Sequence, residues 1–128
     1  MQVKGIVWLG TRTRYYNVMT AFCRDVLGME MAWQTPDYAG FDLPNGDRLE
    51  IFNAEAPFNS FIDAPVAGFL VDNIYAARAE MEQAGVVFLG PVYGDDRYRW
   101  SHFRAPDGNL YELLWCPGHP ALRAGNSQ

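Results

Sequence analysis

The chain has 128 residues, of which 49% are apolar and 15% aromatic, and a formal net charge of −5. That length suits one domain-sized core, able to remove roughly two-thirds of the unfolded surface from water. The ten Lys and Arg residues are scattered, so no basic stripe answers to nucleic acid, and the acidic balance disfavours an anionic membrane. No apolar run approaches the ~20 residues of a bilayer span. Met1-Gln2-Val3-Lys4-Gly5 lacks the charged and apolar regions of a secretion signal. Cys23 and Cys116 are therefore expected as free thiols in a reducing cytoplasm.

Taken in order, Gly5 to Thr11 is a short β-rich strand, and Thr13 can cap the element after it. Tyr15, Val18, Met19, Phe22 and Val26 recur at helical spacing, and the stripe predicts an amphipathic helix with Cys23 packed in the core. Gly28 suits the left-handed stop of that helix. Glu30 to Gln34 is extended, Thr35-Pro36-Asp37 turns the chain, and Tyr38 to Leu43 with Arg48 to Phe52 make a hairpin. Asn53 to Pro65 breaks the pattern with two prolines. A strand over Val66 to Val71 follows. Asp72 is expected to cap a second helix bearing Ile74, Ala77, Met81 and Ala84, which Gly85 ends. Val86 to Leu89 is predicted as a strand, Gly90 to Arg97 as a loop, and Tyr98 to Arg104 with Leu110 to Trp115 as a second hairpin. Pro117 to Gln128 carries little apolar content and predicts a mobile tail.

One sentence of this chain is written twice. Phe41, Pro44, Gly46 and Glu50 precede Phe103, Pro106, Gly108 and Glu112 by the same 62 residues. Such an echo marks an internal repeat. Residues 1–53 and 66–116 then form two βαβββ modules, joined by a linker over 54–65 and followed by a tail over 117–128. The predicted class is α+β: a curved eight-stranded mixed sheet around a cleft, with helices on the outer face. Period-2 alternation turns Leu49, Ile51, Tyr111 and Leu113 toward the helices and Glu50 and Glu112 toward the cleft. In the second hairpin, antiparallel pairing sets Arg104 opposite Leu110 and His102 opposite Glu112. Trp100 shares the face of His102, whereas Phe103 faces a helix.

The run Phe22-Cys23-Arg24-Asp25-Val26-Leu27-Gly28-Met29, the Val71-Asp72-Asn73 segment and the two Pro-Asx-Gly…Glu hairpins resemble the vicinal oxygen chelate superfamily over about residues 3–116. That superfamily includes glyoxalase I, extradiol dioxygenases and bleomycin-resistance proteins. The resemblance implies a divalent metal held by a His or Gln in the first strand, a Glu in the fourth, a His in the fifth and a Glu in the eighth. Glu50 and Glu112 match the two glutamates. Carried over by position, the other two ligands fall on Trp8, fourteen residues before Phe22, and on Val66, five before Val71. Neither side chain ligates a metal, and two carboxylates without imidazole make a poor transition-metal site.

These residues lead to an expectation of a cytoplasmic, metal-free protein resembling the bleomycin-resistance branch. Trp8, Trp100 and Tyr38 wall a cleft for a small planar or aromatic molecule, and Glu50, Glu112 and His102 supply its polar contacts. The resemblance also implies a homodimer. The rival reading is a lyase, isomerase or dioxygenase-type enzyme. It would use Glu112 and His102 as catalytic groups, with Glu50, either by acid–base chemistry or with a weakly held divalent metal. A third reading is a passive partner whose cleft Trp8 plugs. Arg12, Arg97, Arg99 and Arg104 lie near strand ends, where one of them could clamp an anion.

Overall fold

The computed structural model describes residues 1–126, with side chains described as far as Arg123. Its strands are β1 (Gly5–Thr13), β2 (Glu30–Gln34), β3 (Tyr38–Asp42), β4 (Arg48–Asn53), β5 (Val66–Leu70), β6 (Tyr93–Gly94), β7 (Arg99–Arg104) and β8 (Leu110–Trp115). The helices are α1 (Tyr16–Ala21), which runs into a π-helical turn at Phe22–Val26, α2 (Ile74–Gln83) and α3 (Pro120–Asn126). The strands follow the order β2-β3-β4-β1-β5-β8-β7-β6, the α+β arrangement expected from the repeat.

Contacts divide the chain into one unit of residues 8–66 and another of residues 1–7 with 67–128. The first seven residues thus share a contact unit with residues 67–128. The Lys4 amide donates to the Leu70 carbonyl at 2.8 Å, and the terminal ammonium reaches Glu80 Oε2 at 2.7 Å.

In the unit of residues 8–66, β4 lies between β1, which is parallel to it, and β3, which is antiparallel. Alternation along β4 buries Leu49 and Ile51 with Ala39, Phe41, Tyr16 and Cys23, as the period-2 pattern predicts. The helix face is a correction. Tyr16, Thr20 and Cys23 are buried, whereas Tyr15, Val18, Phe22 and Val26 of the predicted stripe are exposed. The Tyr16 hydroxyl donates to the Thr35 carbonyl at 2.8 Å, so a polar tip enters the core without an unmet hydrogen bond. The linker is pinned rather than loose: Ala56 and Ile62 are buried, and Arg12 Nη2 donates to the Ala54 carbonyl at 3.0 Å.

In the other unit, β8 pairs with β5 in parallel and with β7 antiparallel, and β6 closes the edge. Leu113 packs with Val71, Ile74, Ala77 and Phe103, with Tyr111 alongside. Three expectations change here. Asn73, not Asp72, caps α2, its side chain accepting from the Ala76 amide at 3.0 Å. Val86 to Leu89 is not a strand. It touches β7 through a single Phe88–Phe103 bridge and the Leu89 amide on the His102 carbonyl, while the short edge strand is Tyr93–Gly94, inside the predicted loop. Pro91 lacks an N–H, and Arg78 Nη1 takes the Gly90 carbonyl at 2.6 Å, so the ladder is interrupted between the two pieces. Finally, part of the predicted tail is α3, with His119 and Leu122 buried. The expectation for Ser127 and Gln128 lies outside the described residues.

The turns that repeat in sequence also repeat in backbone. Gly46 and Gly108 take φ of 93° and 83°, which a side chain would strain.

Candidate functional site

Glu50 stands in the middle of β4, flanked in register by Gly10 of β1 and Gly40 of β3. Each glycine is a seat for an indole. A Cβ on Gly10 would fall among the ring carbons of Trp8, and a Cβ on Gly40 among those of Trp33. Glycine inside a strand is otherwise unfavourable, and close approach of another group is a physical reason for it. Trp8 Nε1 donates to Glu50 Oε1 at 3.1 Å. Around this centre Tyr38 stacks on Phe52 at 6.1 Å, Phe58 meets both edge-on, and Trp8 lies 6.4 Å from Phe52. The Arg48 guanidinium sits 4.8 Å over Trp33 and also pairs with Asp42 at 3.0 Å. Trp33 Nε1 is buried and has no hydrogen-bond partner. Glu50, Trp33 and Tyr38 are half-buried and keep part of their surface toward solvent, whereas Trp8 and Phe52 are buried.

The second carboxylate has different company. Glu112 is buried, opposite Gly68 of β5 and His102 of β7. The His102 Nε2 lies 3.2 Å from Glu112 Oε2, and the Tyr98 hydroxyl donates to Oε1 at 3.4 Å. Burial pushes the Glu112 carboxyl above its ordinary range, and His102 and Tyr98 pull part of the way back. Trp100 lies between Tyr93 and Tyr98, with ring centres 6.0 and 5.8 Å away.

The predicted site residues thus fall into two groups. Trp8, Tyr38 and Glu50 assemble within residues 8–66; Trp100, His102 and Glu112 assemble within residues 67–128. Sequence reasoning passed over Trp33, Phe52, Phe58 and Tyr98. The signal for the first of these was in the chain: Gly10 and Gly40 interrupt strands, and an interior strand glycine marks a close approach.

A profile of the Glyoxalase/Bleomycin resistance protein/Dioxygenase superfamily matches residues 5–113. The chain belongs to that superfamily. No curated protein matches the sequence. Among solved structures, the Mn(II)-bound glyoxalase from Novosphingobium aromaticivorans is 21% identical, with a TM-score of 0.71 over 89% of this chain and 39% of its own. Streptomyces coelicolor methylmalonyl-CoA epimerase in complex with 2-nitronate-propionyl-CoA is 17% identical, with a TM-score of 0.71 over 92% and 98%. A superfamily member from Vibrio splendidus 12B01 is 19% identical, with a TM-score of 0.60 over 84% and 95%. At these identities the likeness establishes the glyoxalase fold. This chain spans well under half of the Novosphingobium protein.

The residues at the four positions that the family resemblance implies as metal ligands do not make a complete donor set, since Trp8 and Val66 stand at two of them. Trp8 carries only an indole N–H, which donates to Glu50 and offers no lone pair to a cation. Val66, at the other, is buried hydrocarbon with no lone pair to offer. Among the described residues no three His, Cys, Asp or Glu side chains converge to hold an ion. Among the described residues no helix is long and apolar enough to cross a membrane.

Proposed function

We propose that this glyoxalase-superfamily chain binds a small planar or aromatic molecule on the Glu50 face of residues 8–66, without a transition metal. The observation that carries this reading is the pair of indoles seated on Gly10 and Gly40 either side of one carboxylate. Flat apolar rings offer large contact area at low conformational cost, and a few polar groups among them orient the ligand. Glu50, half-buried, accepts hydrogen bonds from a ligand N–H or O–H. The test is tryptophan fluorescence and calorimetry with a panel of planar aromatics, run beside Mn²⁺, Ni²⁺, Zn²⁺ and Fe²⁺. The expected result is saturable binding of an aromatic that weakens tenfold or more in Glu50→Gln. Stoichiometric tight binding of a metal, lost in Glu50→Ala and Glu112→Ala, would overturn it.

A second reading rests on Glu112. A buried carboxyl with a raised pKa beside an imidazole and a phenol is acid–base equipment for isomerase or lyase chemistry on a carbonyl compound. Here Glu112 and His102 would share the proton transfers. Turnover of a carbonyl substrate that Glu112→Gln abolishes, with the fold intact, would decide for this reading.

A further inference from the structure

We infer that the cavity at the end of β1, between Arg12 and the segment of residues 54–63, is a binding site for a small oxyanion, the carboxylate or phosphate group of a small molecule. The inference does not depend on the ligand reading above. The cavity measures about 600 Å³, within the size range of small-molecule sites, and its whole lining lies in residues 8–66. Arg12, half-buried, lines it beside Thr13, Arg14 and the buried Ile62. Two main-chain carbonyls hold the Arg12 guanidinium in place. Its Nη2 donates to the Ala54 carbonyl at 3.0 Å and its Nη1 to the Ile62 carbonyl at 3.5 Å. Its Nε is buried and has no hydrogen-bond partner.

A carbonyl satisfies a donor but does not neutralise a charge. Among the described residues the arginines in ion pairs are Arg24, Arg48, Arg78 and Arg99; Arg12 and Arg14 are in none. A half-buried guanidinium has lost part of its hydration, and a charge so placed calls for an opposite one. The planar fork of an arginine suits the paired oxygens of a carboxylate or phosphate, and each Arg12 Nη keeps a second hydrogen beyond its carbonyl bond. Thr13 adds a hydroxyl: its oxygen accepts from the Tyr15 amide at 3.0 Å, which leaves the O–H to donate. Glu55 and Asp63 also line the cavity, so its formal charges are even. Their surroundings are not. Both acids are exposed, where water and salt screen them, and Arg12 is half-buried and screened less. The two acids thereby restrict the ligand, admitting a molecule with one oxyanion group and repelling a polyanion.

Calorimetric titration of the full chain with acetate and with inorganic phosphate, against chloride at matched ionic strength, tests this. Saturable binding at one site per chain is expected, and the tighter of the two probes names the group. Arg14→Gln, a change at an exposed position, should weaken binding several-fold and leave the denaturation midpoint of the anion-free chain unchanged. Arg12→Gln should abolish binding; should that variant fail to fold, Arg14→Gln still decides. Glu55→Gln together with Asp63→Asn should tighten binding several-fold, a gain that a purely structural Arg12 would not produce. Absence of saturable binding for both probes would overturn the inference. So would an affinity undiminished in Arg14→Gln, or one that removal of the two acids leaves unchanged.

Discussion

Glu50 and Glu112 hold the same place in two copies of one module, yet they live in opposite surroundings. Both have a glycine on the parallel neighbour, Gly10 for one and Gly68 for the other. The divergence is on the antiparallel neighbour, where Gly40 in one copy stands at the position of His102 in the other, again 62 residues apart. Gly40 leaves room, and Trp33 fills it; His102 fills its own place and pairs with the acid. One carboxylate is therefore set among indoles and half-open to solvent, and the other is buried with a titratable partner. A single cross-strand residue thus separates the two surroundings, an indole beside one glutamate and an imidazole beside the other.

The largest effect should come from closing the room. Gly40→Ala puts a methyl group where the Trp33 ring lies. The resulting overpacking should cost about 1–3 kcal/mol in chemical denaturation. If stability were unchanged, the indole would not be confined by its glycine seat, and the contrast between the modules would fail. The same experiment at Gly10 asks whether Trp8 is equally confined.

A pH series sharpens the other side. Burial raises the folded-state pKa of Glu112 above its unfolded value, so the native chain holds that proton more tightly. The stability this contributes is complete below the unfolded value and fades as pH rises through the folded one. Glu112→Gln is uncharged throughout and lacks this component. Denaturation midpoints should show the wild type losing ground to the variant as pH rises from the ordinary carboxylate range toward neutrality. The opposite slope would mean that the charged pair with His102 outweighs desolvation.

Smaller effects separate the remaining claims. Trp8→Phe keeps a ring over Gly10 and removes the donor to Glu50. At a half-buried acid, water replaces part of that bond, so the cost in urea titration should be about 1 kcal/mol. Asn73→Ala removes the cap of α2 and should cost about 0.5–1 kcal/mol. Asp72→Ala at the exposed neighbouring position should stay within about 0.5 kcal/mol of the wild type in the same assay.

The fold was legible because its punctuation is chemical. Pro, Asx and Gly fix a turn through backbone constraints that no tertiary contact needs to supply, and two such turns 62 residues apart carried the modules, the hairpin register and the His102–Glu112 pairing with them. The face of α1 was misread because apolarity alone selects a stripe without saying which side is inside. Here Tyr16 and Thr20 form part of the inner face, and both are polar enough to be discounted beside Val18 and Phe22. Asp72 and Asn73 are both good caps, and only the backbone decides between them. Trp33 was missed because its role depends on a neighbouring strand. The β-bulge between Met31 and Trp33 shifts the pairing that sets it against Gly40, and the alternation of β2 alone does not reveal that shift.

The division of β1 bears on how the chain reaches this state. Residues 8–66 are continuous, and their longest strand pairing, Trp8 of β1 opposite Arg48 of β4, closes over a shorter stretch than the other unit requires. The other unit draws residues 1–7 from one side of that stretch and residues 67–128 from the other. Its assembly must bring together segments some 60 residues apart in sequence, and that closure entropy has to be met before Lys4 and Leu70 can join. Folding of the intervening unit shortens the effective loop to the span between two ends of a compact body. The expected order is sequential: residues 8–66 become protected from hydrogen exchange first, and the edge between residues 1–7 and β5 is the last ladder to form.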